Sequence, residues 1–259
     1  MLIIGEKLSI IAKRVREAMM RRDKGPIQEI AKAQFEKGAG MIDANIGPAE
    51  GAEDLMAWMV TTIQEVVPAP VCLDTTNFVA LEMGLKVHNN EWGRPLINST
   101  SNDPERFPIL ELTAKYNCDV IALTVGKGGL PADAEERTEI AAELMGRALE
   151  YGVPMEHIYL DPLVLQTATT QDQALKVVQA IKMFQDLNDP PMKTVVGLSN
   201  ISNGCPKHIR HILNEHFLTL LIYEGLSAAI ADPAEIVTTV KTIDILMNKT
   251  LYAHSYLEM

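Results

Sequence analysis

Basic residues are in deficit. Lysine and arginine number 23 against 34 aspartates and glutamates, a formal balance of −11. A phosphate backbone is bound by clustered cations, so this balance argues against a nucleic-acid partner. Cysteine is scarce: Cys72, Cys118 and Cys205 are far apart and form no CxxC pair. That pattern excludes a disulfide framework and makes a reducing cytoplasm the expected compartment. Long apolar runs are missing too. No window of about 18 apolar residues is free of charge, so no membrane span is expected. The opening MLIIGEKLSI reaches Glu6 too soon for a signal peptide. Nucleotide signatures are also lacking. No G-x-G-x-x-G follows the first apolar run, and Lys127 among Gly126, Gly128 and Gly129 lacks P-loop spacing, so it reads as a loop over a domain mouth.

What is present is a globular composition, 47% hydrophobic and 22% charged. Eight short apolar runs alternate with amphipathic stretches. They are Leu2–Glu6, Met41–Ile46, Pro70–Asp74, Pro95–Ser99, Val120–Val125, Ile158–Leu163, Thr194–Ser199 and Ala228–Ala231. Rich in Ile, Val and Leu, they read as strands buried on both faces. Helical periodicity lies between them. Ile27, Ile30, Ala31 and Phe35 share one face, as do Ala174, Val177, Val178 and Ile181, and Ile236, Val240, Ile243 and Met247. Gly38, Gly40 and Gly152 fall where helix C-caps are expected, and Pro104, Pro131 and Pro233 near helix starts. Strand–helix alternation implies parallel strands joined by right-handed crossovers. Eight such units fill residues 1–259 and close a single-domain α/β fold, a (β/α)8 TIM barrel.

In such a barrel the C-terminal strand ends line the site. Here those ends carry Glu6, Asp43 and Asn45, Asp74 and Asn77, Asn98 and Ser99, Asp161, Ser199, Asn200 and Asn203, and Asp232. Each could instead start a turn or cap the next helix. Asp43 and Asn45 stand two apart in a strand and so share a side, where no cap is needed. The ring reads as a polar cup of carboxylates and carboxamides with few cations. A carboxylate takes two parallel hydrogen bonds from an amidine-like N–C–N edge, the edge a pterin presents. Other features read blandly. Cys205, His208, His211 and His216 match no zinc spacing, so no metal is expected. His157 and His254 read as surface residues. Met145, Met183 and Met247 read as core filler, and Met19–Met20 as a pair exposed at a partner or dimer face.

The segments IGEK, DANIGP, CLDTTN, INSTSN, LDPL, GLSNIS and AAIADP, in this order, resemble the pterin-binding methyltransferases. The resemblance is nearest to the methyltetrahydrofolate:corrinoid protein methyltransferases of acetogens and other anaerobes, and more distant to the folate module of cobalamin-dependent methionine synthase. It implies a methyl transfer between corrinoid cobalt and N5 of tetrahydrofolate, with methyltetrahydrofolate as donor or product. By the same resemblance Asp74, Asn98 and Asp161 hold the pterin, and Asn200 lies near N5. Gly197 and Ser199 form the adjacent wall, Asp43 and Asn45 lie below the reacting side, and Glu6 completes the ligand shell. Asp43 supplies a proton through water in this reading. Arg210 packs on the ligand in relatives, though its loop here is about two residues longer. A homodimer and a separate corrinoid protein are implied as well, since the eight units leave no residues for a cobalamin domain. Dihydropteroate synthase shares the barrel but has a lysine and S-x-R where this chain has GLSN. A non-catalytic folate-binding subunit is the remaining alternative.

Overall fold

The computed structural model describes residues 1–126 and 128–252. Lys127 and His254 lie outside the described residues. Eight parallel strands close a barrel in sequence order: β1 Leu2–Ser9, β2 Met41–Asn45, β3 Val71–Asp74, β4 Leu96–Asn102, β5 Asp119–Gly126, β6 Ile158–Asp161, β7 Lys193–Gly197 and β8 Ala228–Ala231. The helices outside it are α1 Lys13–Arg21, α2 Lys24–Glu36, α3 Leu55–Gln64, α4 Phe78–Val87, α5 Pro108–Tyr116, α6 Ala134–Glu150, the single turn α7 Thr167–Thr170, α8 Gln173–Gln185, α9 Lys207–Tyr223 and α10 Pro233–Leu246. The expected TIM barrel is therefore the fold.

Inward residues of the strands fill the barrel with Ile4, Met41, Cys72, Leu96, Ile121, Tyr159, Val195 and Ala228. Outward residues meet the helices in larger apolar shells that include Leu73, Met59, Leu81, Val196 and Leu221, all with no measurable exposure. Burial of such side chains contributes roughly 1.5–3 kcal/mol each. The apolar plug supports a polar mouth at the C-terminal strand ends.

β1 departs from simple alternation. Its ladder with β2 pairs Gly5 with Ile42 and then Leu8 with Ala44, leaving one extra residue on β1. This bulge turns Leu8 outward into the helix-facing core and Ser9 toward the mouth. The Lys7 N–H donates instead to Gln34 Oε1 of α2 at 2.8 Å. Gln34 lies so close to β1 that a Cβ on Gly5 would stand 2.6 Å from that same oxygen, so only glycine fits.

Several helix expectations need correction. The inner face of α2 carries Ile27, Ala31 and Gln34, while Ile30 is partly buried and Phe35 exposed, the face running i, i+4, i+7 onto the amide that takes the Lys7 N–H. Met247 follows the end of α10 and is exposed. Met19 is buried and only its neighbour Met20 is exposed. Gly38 and Gly152 do end helices with positive φ, but Gly40 does not. Gly40 precedes β2, and a Cβ there would stand 2.8 Å from Leu2. His157 is buried, not superficial. It ends a 3-10 turn just before β6 at the barrel base, where burial and the nearby Arg94 lower its pKa.

Candidate functional site

Register builds the site. Along three adjacent ladders, Ser9 stands beside Asn45, Asn45 beside Asp74, and Asp74 beside Asn98. Four neighbouring strands thus present one polar residue each at a single level. Asp43 lies one inward step below, level with Cys72. β7 closes the ring differently. After Gly197 the chain enters a 3-10 turn, Leu198–Ser202, which carries Ser199 and Asn200 over the mouth. Together Glu6, Ser9, Asp43, Asn45, Asp74, Asn98, Gly197, Ser199, Asn200 and Ile230 line a cavity of about 290 Å³. The sequence-expected residues among them do converge. Ser9 and Ile230 were missed, Ser9 because no alternation pattern announces a bulge.

Two expected residues stand apart from this cavity. Asp161 pairs in register with Leu123, which lies level with Ser101, a step beyond Asn98 toward the rim. Its carboxylate accepts the Leu163 N–H at 2.8 Å. Arg210 sits on α9, and its Nε donates to the Cys205 carbonyl at 2.8 Å. Three further strand-end residues serve helices or turns. Asn77 accepts the Ala80 N–H at 3.0 Å and caps α4. Asp232 accepts the Ala234 N–H at 3.1 Å, caps α10, and pairs with Lys7 at 2.7 Å. Asn203 donates to Asn200 Oδ1 at 3.3 Å.

The cup is held by its own polar bonds. Asn45 donates its amide to Asp74 and accepts from the Gly47 N–H at 3.2 Å. Ser199 Oγ donates to Glu6 Oε1 at 2.7 Å. The Asn200 amide lies where a Cβ on residue 197 would be 2.9 Å from its nitrogen. Gly197 is the space that Asn200 occupies. Asp43 is 4% exposed, and its Oδ1 has no hydrogen-bond partner among the described residues. An orphaned buried acceptor carries a desolvation cost that a bound donor relieves.

Electrostatics follow chiefly from burial, with Lys7 the cation that acts on Glu6. Burial raises Asp74 to about 6, against the pull of the Asn45 hydrogen bond. Burial raises Asp161 to about 7, with the Leu163 N–H opposing. Burial, and then the Asp74 charge, push Asp43 well above the usual carboxylate range. Burial raises Glu6, the Ser199 hydroxyl opposing. Such groups exchange protons or accept donors near neutrality. Among the described residues, no group of three or more His, Cys, Asp or Glu is placed to hold a metal ion, and no helix is long and apolar enough to cross a membrane.

A closed parallel barrel whose C-terminal strand ends gather buried carboxylates and carboxamides into one cavity has the architecture of a barrel enzyme's active site. The chain belongs to the pterin-binding enzyme family, whose profile matches residues 13–232. It is 29% identical over 237 residues to the methylcorrinoid:tetrahydrofolate methyltransferase of Eubacterium limosum, covering 90% of this chain and 85% of that one. It is 32% identical over 248 residues to methionine synthase of Mycobacterium leprae, and 31% identical over 249 residues to that of Mycobacterium tuberculosis. Those alignments cover 91% of this chain but only 20% of each methionine synthase.

Proposed function

We propose that this protein is a folate-dependent methyltransferase, moving a methyl group between N5 of tetrahydrofolate and the cobalt of a corrinoid brought by a separate protein. The observation that carries the reading is the cavity itself. It sets Asn45, Asp74 and Asn98, level on adjacent strands, in one cavity with the Asn200 amide seated against Gly197. The similarity to a methylcorrinoid:tetrahydrofolate methyltransferase over most of both chains supports it.

In this reading Asp74, Asn98 and Asp161 hold the pterin ring. The ring N–H and exocyclic amino group give a carboxylate two parallel hydrogen bonds. Glu6, Asn45 and Ser199 complete the wall, and Arg210 braces the loop that follows Asn200. The corrinoid is a second substrate, which approaches over the mouth. When methyltetrahydrofolate donates, N5 leaves as an amine and needs a proton. When tetrahydrofolate accepts, N5 later loses one. A carboxamide both donates and accepts, so Asn200 follows N5 through the change without titrating. Its bond to N5 strengthens as charge develops, and that difference lowers the barrier. Asp43, buried with a raised pKa and a free oxygen, supplies the proton through a water.

A cobalt absorbance assay tests this. Protein is mixed with methylcob(III)alamin and tetrahydrofolate, and separately with cob(I)alamin and methyltetrahydrofolate. A spectral change of the cobalt in either mixture is the expected result. No change in both, with folate still bound, would replace the enzyme by a folate-binding subunit.

A further inference from the structure

Arg137 on α6 is the largest side chain with no measurable exposure. A buried guanidinium ordinarily faces a carboxylate. The oxygens it donates to are neutral, with the Asp133 and Glu136 carboxylates near enough to favour its charge. Nε donates to the Pro162 carbonyl at 2.7 Å, Nη1 to the Asp133 carbonyl at 2.8 Å, and Nη2 to Gln173 Oε1 at 2.9 Å. Helix capping asks for none of this, since Asp133 Oδ1 already receives the Glu136 N–H at 2.9 Å. The contacts join the starts of α6 and α8 to the peptide that immediately follows Asp161. That peptide begins a tight turn. Leu163 has φ +62°, unusual for a branched apolar residue, and its N–H points back to the Asp161 carboxylate. Upstream, Thr124 Oγ1 donates to the Asp161 carbonyl at 3.0 Å. Asp161 is thus pinned on one side by β5 and on the other by Arg137.

We propose that Arg137 is a positioning residue. By holding the Pro162 carbonyl it keeps the Asp161–Leu163 turn closed and so aims the Asp161 carboxylate at the pterin. The proposal rests on the reading of Asp161 as a pterin-holding residue. A guanidinium spans three acceptors in fixed directions. An ammonium on a flexible stem does not, so lysine is a poor substitute here.

The test is a double-variant cycle on tetrahydrofolate affinity, measured by calorimetry on the full chain. Arg137→Lys is expected to raise Kd about tenfold, the scale of a small misplacement of one contact. It should raise KM similarly while kcat stays within about twofold, because Asn200 is untouched. Asp161→Asn should raise Kd by itself. The combined variant should bind no more weakly than Asp161→Asn alone, since contacts acting through one group do not add. Methylguanidinium in the buffer should restore affinity to Arg137→Ala. Additive losses, or a fall in kcat with KM unchanged, would overturn the positioning role while leaving Asp161 in place. An unchanged Kd for Asp161→Asn would overturn the pterin assignment first, and this proposal with it. Where the Arg137 variants fail to fold, Gln173→Ala removes one of the three ties and enters the same cycle, with a smaller loss expected and the same non-additivity deciding.

Discussion

Asn200 reaches the mouth as an exposed carboxamide on a 3-10 turn, where it accepts from the Asn203 amide and fills the gap left by Gly197. Removing the amide should cost the bond that tightens as N5 changes charge. Asn200→Ala is expected to slow methyl transfer about 10²-fold, the scale for one preorganised donor, with tetrahydrofolate affinity changed far less. Cobalt absorbance and calorimetry read the two separately, and near-normal turnover would remove Asn200 from the chemistry. Gly197→Ala should act through the same atom. A methyl 2.9 Å from the amide nitrogen forces the amide aside, so turnover should fall with little change in melting temperature. The carboxylates differ in kind because they titrate. Asp74 at about 6 and Asp161 at about 7 must be ionised to take two donors from a pterin. Affinity for tetrahydrofolate should therefore rise as pH passes from 5 to 8, and Asp161→Asn should flatten the upper part of that rise. Asp74 and Asn98 were legible as residues of the barrel mouth because they close apolar runs. Arg137 was not, since an arginine on a helix face gives no sign in the sequence that it will be buried.

At the scale of elements, the same residue types do two jobs, and strand register separates them. Asp74 ends β3 and faces the cavity, while Asn77, three residues on, caps α4. Both stand in one CLDTTN run, and nothing in the run itself tells cap from cup. The distinction appears only when Asp74 is paired with Asn45 and Asn98 across neighbouring strands. Asn77→Ala is expected to lower stability by about 1 kcal/mol, the usual loss of an N-cap, with tetrahydrofolate affinity unchanged. Denaturant titration and calorimetry check the two halves. A Kd raised as far as in Asp74→Asn would show that Asn77 belongs to the ligand shell. The order of the strand–helix cycle, by contrast, was readable, because the strands begin as short apolar runs, although β4 runs on to Asn102 and β7 stops at Gly197, before Ser199. β1 was read short at Glu6, and its bulge went unseen. The device that turns Ser9 inward is a long-range bond from Lys7 to Gln34, invisible to local periodicity.

Across the whole molecule, polar groups gather at both ends of an apolar barrel, and burial raises the carboxyls at each. At the base, Asp119 is 3.4 Å from Arg94 and 3.9 Å from Lys193, and those cations oppose the rise that burial imposes on its pKa. At the mouth the named carboxylates Glu6, Asp43, Asp74 and Asp161 all stand above their ordinary values, burial being the leading cause for each. A carboxyl whose folded pKa is raised binds more protons in the native than in the unfolded state between the two pKa values. Its ionisation then costs stability, nothing below about pH 4 and the full amount above the folded value. For Asp161 that window runs from the ordinary carboxylate range to about 7. Asp161→Asn keeps an oxygen for the Leu163 N–H and removes the charge, with an NH2 donor in place of the second oxygen. The variant should match the parent near pH 4 and exceed it by on the order of 2 kcal/mol at pH 8. Denaturant titrations of the ligand-free protein across that range measure the difference. A constant offset, or one that shrinks with rising pH, would mean that Asp161 is not held ionised against burial. The expected trend has a functional side: the mouth gives up stability at neutral pH to keep carboxylates ready for a donor-rich ring, and tetrahydrofolate should return that stability on binding.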